Sequence, residues 1–361
     1  MVSTFEFSML RFFLGLGFLS YGAYSDLKSR MVKDRVWVLM AVAAIIIMEI
    51  EFAVQGAHWI YYLSAIPLFT LYSIIFTRGF LYYLLILDIE DDPKRLEEFE
   101  KWVNGPNYEK KENNKNKGSS DKDSEEETPQ EKRFFNLNYL ASAILGLISI
   151  IIVLYQISEL GFSNLYMQIL TSMLMMLLGA VFYQFGLFRG GADAKAFITL
   201  SIFCYSYPSL GAFPFIQTGE LEQMLFPFVL VILFNSVVLY LFMPIVFLIR
   251  NLKNGDFGAP AFIGYKMDVD KISMKSYVWL VEKIIDGKEK RFYFGAKDNY
   301  DSDEDEEKAL IRDIELLKNA GKKRVWVTPQ TPFIVPLTVG FVLSFIIGNI
   351  MFSFLYWLIV G

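Results

Sequence analysis

The sequence predicts an all-α polytopic membrane protein of about eight transmembrane helices, with a small cytoplasmic α+β or β-rich subdomain before the last helix. Three observations lead there. Of the 361 residues, 54% are apolar and 17% are aromatic, against roughly 45–50% apolar in a soluble domain. Apolar runs of about 20 residues, the length that crosses a bilayer as a helix, recur along the chain. Lys and Arg collect in every second short loop, as the positive-inside rule requires.

The candidate spans are roughly 7–25, 36–54, 59–77, 137–157, 165–188, 194–213, 225–249 and 332–360. The first reads as a true span and not as a secretory signal peptide, because residues 1–10 carry no Lys or Arg and later runs return to the membrane. The third can continue through Gly79–Leu87 or lie along the interface there. The sixth is the weakest, since Pro208 and Gly211 interrupt its far end.

Orientation follows from the short loops. Asp26 to Arg35 holds Lys28, Arg30, Lys33 and Arg35, and the turn after span five holds Arg189 and Lys195. The loops Phe52–His58, Ile157–Asn164 and Ala212–Gln223 hold no Lys or Arg. The expectation is a multi-pass plasma-membrane protein with its N-terminus outside and both charged segments cytoplasmic. Arg11, near the outer end of span one, is expected to snorkel to the interface.

This organisation divides the chain into N-terminal spans at 1–87, a polar linker at 88–136, further spans at 137–250, a cytoplasmic subdomain at 251–328 and a C-terminal helix at 329–361. The linker is rich in Lys, Asn, Ser, Asp and Glu and is expected to be largely disordered, because it cannot bury enough apolar surface to offset chain entropy. Ile272–Val281, Arg291–Phe294 and Arg324–Val327 carry the strand-like patterns of the subdomain. The acidic run Asp298–Glu307 is expected to be a solvated loop.

Composition also excludes chemistry. The net charge is -5, and the charges lie in blocks with no basic face for nucleic acid. One cysteine, Cys204, permits neither an intrachain disulfide nor a cysteine-based zinc site. One histidine, His58, lies in an external loop, which disfavours Ser-His-Asp and Cys-His mechanisms. No metal or cofactor is expected.

Ionisable residues at the edge of a span are functional candidates by default. Asp26 closes span one in Tyr24-Ser-Asp-Leu-Lys-Ser-Arg30, and Asp193 opens span six in Gly190-Gly-Ala-Asp-Ala-Lys195. The four intervening spans return the chain to its starting face, so both carboxylates lie on the cytoplasmic side. Gly190 and Gly191 free the backbone where span five ends, and Ala192 and Ala194 leave room beside the carboxylate. Two carboxylates held close share a proton near neutral pH, so one can deprotonate water while the other protonates a carbonyl oxygen. The structural alternatives are a loop acid paired with Lys28 or Arg30 for Asp26 and a helix cap for Asp193. Glu49, Glu51 and Asp34 also sit at membrane edges, so position alone does not choose the pair.

The two stretches around Asp26 and Asp193 resemble those of the type IV prepilin peptidases, GxGD-type membrane aspartic proteases that include the archaeal preflagellin peptidases. The resemblance makes Asp26 and Asp193 the catalytic pair, Gly190 and Gly191 the glycine-rich lead-in, and Lys195 the trailing lysine. Ala192 stands where the strict motif has glycine. Val327–Pro336, leading into the last span, resembles the re-entry segment of archaeal members; Tyr24, Pro332 and Pro336 are the candidate substrate-side residues. Its prolines also suit the start of a helix. Residues 59–157 have no counterpart in the shorter archaeal preflagellin peptidases and look like an insertion of two spans and a linker. The lack of paired CxxC motifs implies no methyltransferase activity.

The resemblance implies an aspartyl endopeptidase that removes a short basic leader from type IV pilin-like precursors at the cytoplasmic face. Its partners would be pilin-like or flagellin precursors and the lipid bilayer. Alternatives are a preflagellin peptidase, a presenilin-like intramembrane protease, a transporter and a non-catalytic pilus-assembly scaffold. The presenilin-type Tyr-Asp pair is absent, since Ser25 separates Tyr24 from Asp26. A transporter would favour midplane charges and repeated broken helices.

Overall fold

A computed structural model describes residues 4–75, 129–188, 190–216, 219, 223, 226–285, 288–292 and 303–360. The expected continuation at 78–87, the linker through residue 128, Arg189 and residues 298–302 lie outside the described residues. The chain forms two compact units, Met1–Asn235 with Phe333–Gly361, and Ser236–Pro332.

The first unit is helical. Its elements are α1 (Thr4–Ser29), α2 (Asp34–Gln55), a 3-10 turn (Trp59–Ser64) leading into α3 (Ala65–Ile75), α4 (Pro129–Leu160), α5 (Asn164–Gln184) and α6 (Gly191–Phe203). Then come α7 (Phe228–Leu241), which runs on into the second unit, and α10 (Ile334–Ile346) and α11 (Ile350–Val360), which close the chain.

Four helical stretches among the described residues are long and apolar enough to cross a membrane: Asp34–Gln55, Leu137–Leu160, Asn164–Gln184 and Phe228–Lys253. Helix α1 has the length but is diluted by serines, glycines, Arg11 and Asp26. On α4, Leu140, Ile144, Leu147, Ile151 and Leu154 form an exposed apolar stripe. A stripe of that extent needs a covering apolar phase, and the chain is a multi-pass membrane protein.

Helix α6 is the centre of this unit. Every residue from Ala196 to Phe203 is buried, and the helix packs against α1, α2, α3, α5 and α10. Close approach to α5 depends on Gly179, where a Cβ would meet Ile198 at 2.7 Å and Phe197 at 2.8 Å. Such small-residue contacts bring helix axes together where lipid supplies no hydrophobic drive.

Two spans differ from the sequence expectation. The sixth stops being helical at Phe203, so at 1.5 Å per residue it is only about 20 Å long. The following segment instead bonds to neighbours, with the Ser209 N–H donating to Ser8 Oγ at 2.9 Å. The last span is broken at residues 347–349, where Gly348 takes φ 97°. Phe215 and Ile216 donate backbone bonds to the freed carbonyls of Ile346 and Ile347 at 2.9 and 2.8 Å. Asn235 completes the repair, with Nδ2 donating to Ser344 Oγ and Gly348 O, each at 2.8 Å. Non-helical backbone at membrane depth persists where protein groups satisfy it in this way.

Arg11 does not snorkel. It is buried and ion-paired with Glu51, and its guanidinium stacks over the Tyr205 ring at 4.7 Å. Tyr205 donates its hydroxyl to Glu51 Oε2 at 2.8 Å, and Gln55 donates to Oε1 at 3.1 Å. A partnered buried charge is tolerable where a lone one is not.

The second unit holds α8 (Met243–Lys253), β1 (Tyr265–Asp268), β2 (Val278–Leu280), β3 (Glu282–Ile285), β4 (Lys288–Arg291), α9 (Asp303–Asn319) and β5 (Arg324–Pro329). Strand β5 is central in an antiparallel sheet of order β1-β5-β2, and β3 pairs with β4 as a hairpin. Val269, Ile272, Val278, Leu280, Leu317, Val325 and Val327 form the core beneath α9. The end of the acidic run is helical, since α9 begins at Asp303; acids in a first helical turn favour its dipole. Glu289 accepts from Lys322 Nζ at 2.7 Å, and that bond holds its carboxyl below the ordinary glutamate range.

Candidate active site

The site lies where the ends of α1, α2, α6 and α10 converge. Asp26 is buried in the last turn of α1. The next turn is sharp: Arg30 adopts φ 56°, a left-handed conformation that costs a non-glycine residue about 1 kcal/mol or more. Ser25 and Ser29 hydroxyls hold it by donating to Met31 O at 2.8 and 3.1 Å. The turn sets the start of α2, and with it Asp34, beside the end of α1.

Asp193 is buried in the first turn of α6, three residues after the N-cap Gly190. Its Oδ1 accepts the backbone N–H of Ile334 at 3.0 Å. The backbone N–H groups of Gly190 and Phe333 also bond to the carboxyl. Two helix N-termini, those of α6 and α10, therefore point at one carboxylate. Free N–H groups and the positive dipole end of each helix favour an anion there.

Asp26 lies within electrostatic range of Asp193. The structure thus brings together two acids that are far apart in sequence. Arg30, and not Lys28, acts on Asp26; the Lys28 ammonium sits over the Tyr24 ring at 5.7 Å. The N-cap of this helix is Gly190, and Asp193, inside the first turn, reaches across to α10.

The other expected site residues take distinct places. Gly190 lies against the carboxyl: a Cβ there would sit 2.9 Å from Asp193 Oδ2. Gly191 is exposed and Ala192 half-buried at the same turn. Tyr24 is exposed, two residues before Asp26. Pro336 is half-buried in the first turn of α10, where a proline costs no helical hydrogen bond. Pro332 is buried and ends the second unit. Lys195 pairs with Asp34 on α2.

That pair, and the Ile334 N–H, were not singled out from the sequence. The face assignment contains the signal for the first, because Asp34 and Lys195 fall on the same side as Asp26 and Asp193. Among the described residues, no group of three or more His, Cys, Asp or Glu side chains forms a candidate metal site.

Residues 259–350 match the model of the Archaeal Peptidase A24 C-terminus Type II family. The chain is also similar to a preflagellin peptidase of Methanococcus maripaludis, with 25% identity over 220 residues, covering 58% of this chain and 85% of the relative. The first match lies at the re-entry segment and the helix that donates to Asp193, and the second covers most of a complete peptidase. Both similarities are to archaeal peptidases, one to the C-terminal part of the A24 type and the other to a preflagellin peptidase.

Proposed function

We propose that the protein is a membrane aspartyl endopeptidase that removes the short basic leader from type IV pilin-like precursors. In this reading the chain crosses the bilayer about eight times, with its N-terminus outside and the aspartates at the cytoplasmic face. The observation that carries it is the placement of two buried acids, Asp26 and Asp193, within electrostatic range of each other at one end of the bundle.

Two close carboxylates in a buried site do not readily ionise together, so they hold one proton between them. The ionised member takes a proton from water as the oxygen attacks the scissile carbonyl carbon. The protonated member gives its proton to the carbonyl oxygen, forming a tetrahedral diol. Collapse of the diol returns a proton from the carboxyls to the departing amide nitrogen and breaks the C–N bond. The Ile334, Gly190 and Phe333 N–H groups keep Asp193 in place throughout. The chemistry uses no metal or cofactor.

A precursor would enter with its basic leader in the cytoplasm and its apolar helix in the bilayer, so the junction between them meets the aspartates. A second substrate reading, flagellin precursors, is favoured by the similarity to the Methanococcus maripaludis preflagellin peptidase. Purified protein in lipid vesicles, given a pilin-type and a flagellin-type precursor in turn, tests both. Mass spectrometry should find one cut at the leader junction, faster for the pilin-type precursor and slowed when leader Lys and Arg are reversed to Glu. No cut in either precursor would contradict the peptidase reading, and equal rates with a charge-reversed leader would contradict the entry pose.

A further inference from the structure

We propose that Asp34 is a positioning residue for this reaction: its ion pair with Lys195 anchors the first turn of α6 to α2, and so helps set the direction of the Asp193 carboxyl. The inference rests on the dyad reading above and adds a residue that the reading does not use.

The argument starts from what α6 lacks. Its lead-in is Gly190-Gly191, which has no side chains to pack and the largest backbone freedom to lose. Ala192 and Ala194 are too small to lock a turn by interdigitation. The buried face from Ala196 to Phe203 packs the body of the helix, but the first turn itself carries only small side chains beside Asp193, and a carboxyl that must face both water and a partner carboxyl needs a fixed direction.

The structure supplies two tethers on different sides of that turn. Asp193 and Lys195 are two residues apart, hence about 200° apart around the helix. On one side Asp193 accepts from Ile334 of α10. On the other Lys195 pairs with Asp34 in the first turn of α2, with both side chains largely shielded. A helix held at two such points cannot rotate without breaking one of them. Thr199, one turn further along, continues the anchorage: its hydroxyl donates to Lys195 O at 2.7 Å and lies 3.4 Å from the Tyr72 hydroxyl on α3.

The second reason concerns Asp34 itself. It stands at the start of α2, eight residues after Asp26 and across the serine-braced turn. The same short segment therefore carries one member of the dyad and the tether for the other. Movement of the α1–α2 turn would displace Asp26 and rotate Asp193 together, which makes the pair a mechanical link between the two carboxyls.

The test compares Asp34→Asn, Asp34→Glu, Lys195→Met and the exchange Asp34→Lys/Lys195→Asp in the full chain in lipid vesicles. Each is measured for kcat, KM and melting temperature on a pilin-type precursor. A misplacement near 1 Å costs about 100-fold in rate, so Asp34→Asn and Lys195→Met should each lower kcat by about that factor with KM changed less than about threefold. Asp34→Glu should retain kcat within about tenfold of the parent, and the exchange should recover at least about tenfold over either single variant. An Asp34→Asn protein with kcat within about threefold of the parent would overturn the proposal. So would a loss of activity that tracks melting while the folded fraction turns over normally. An Asp26→Asn control that still cleaves would show instead that the dyad reading itself is wrong.

Discussion

Asp193 accepts the backbone N–H of Ile334 at 3.0 Å across 141 residues of chain. The bond ties the first turn of α6 to the first turn of α10. It gives the last helix a direct part in holding a carboxyl whose own helix starts with two glycines.

The lead-in glycine should therefore be intolerant of any side chain. A Cβ at Gly190 would lie 2.9 Å from Asp193 Oδ2, closer than ordinary contact, so Gly190→Ala must push the carboxyl away. Cleavage by Gly190→Ala should fall about 10- to 100-fold, the cost of a displacement up to about 1 Å, with little change in melting temperature. Steady-state kinetics beside a melting curve checks this, and parent-like kcat would show that the carboxyl has room to spare.

Two glycines on one helix should respond in opposite directions. At Gly15 a Cβ would sit 2.7 Å from the Phe341 ring and 3.0 Å from Phe203, so Gly15→Ala should destabilise by about 1–3 kcal/mol through overpacking. At Gly17 nothing lies within 4 Å, so Gly17→Ala should be neutral or stabilising by up to about 1 kcal/mol. Melting in detergent distinguishes them, and equal responses would mean that α1 and α10 do not pack as described.

The Arg11–Glu51 pair should be asymmetric to mutation. Glu51→Leu leaves a buried guanidinium without its carboxylate and should cost about 3–5 kcal/mol. Removing both charges, as Arg11→Met with Glu51→Leu, should restore much of that loss. A double variant less stable than either single one would show that the pair is more than a mutual neutralisation.

In the second unit, the Lys322 bond holds the Glu289 carboxyl below the ordinary glutamate value of 4.5. An acid depressed by folding contributes stability above its unfolded value, and that contribution is lost as pH falls through its folded value. The partners are partly exposed, so solvent screening keeps the effect to about 1 kcal/mol or less. Carboxyl NMR should show Glu289 titrating below the usual range and moving back toward it in Lys322→Ala, with Arg291 still lowering it. An unchanged titration in Lys322→Ala would remove the bond as the cause.

Hydropathy made much of the membrane unit legible. The helices around residues 34–55, 137–160, 164–184 and 228–253 follow the apolar runs, since a bilayer demands that length whatever the neighbours. What hydropathy could not convey was pairing. Arg11 and Glu51 each looked like an awkward charge near a span end, and only packing makes them one buried pair. The break at Gly348 was hidden because Ile346, Ile347 and Ile350 keep the run apolar while Phe215, Ile216 and Asn235 satisfy its backbone. At the site, Asp26 and Asp193 were visible as acids on one face. The Ile334 N–H was invisible, because a backbone donor leaves no residue type to read.

The most direct measurement of the central claim is leader cleavage by Asp26→Asn and Asp193→Asn, each purified, shown to melt like the parent and assayed on a pilin-type precursor in lipid vesicles. Each amide keeps the size of the carboxyl but can neither accept the proton from water nor donate one as an acid. The account predicts that both variants insert and fold, and that neither cleaves, with rates at least about 1,000-fold below the parent. Parent-like cleavage by either variant would contradict it.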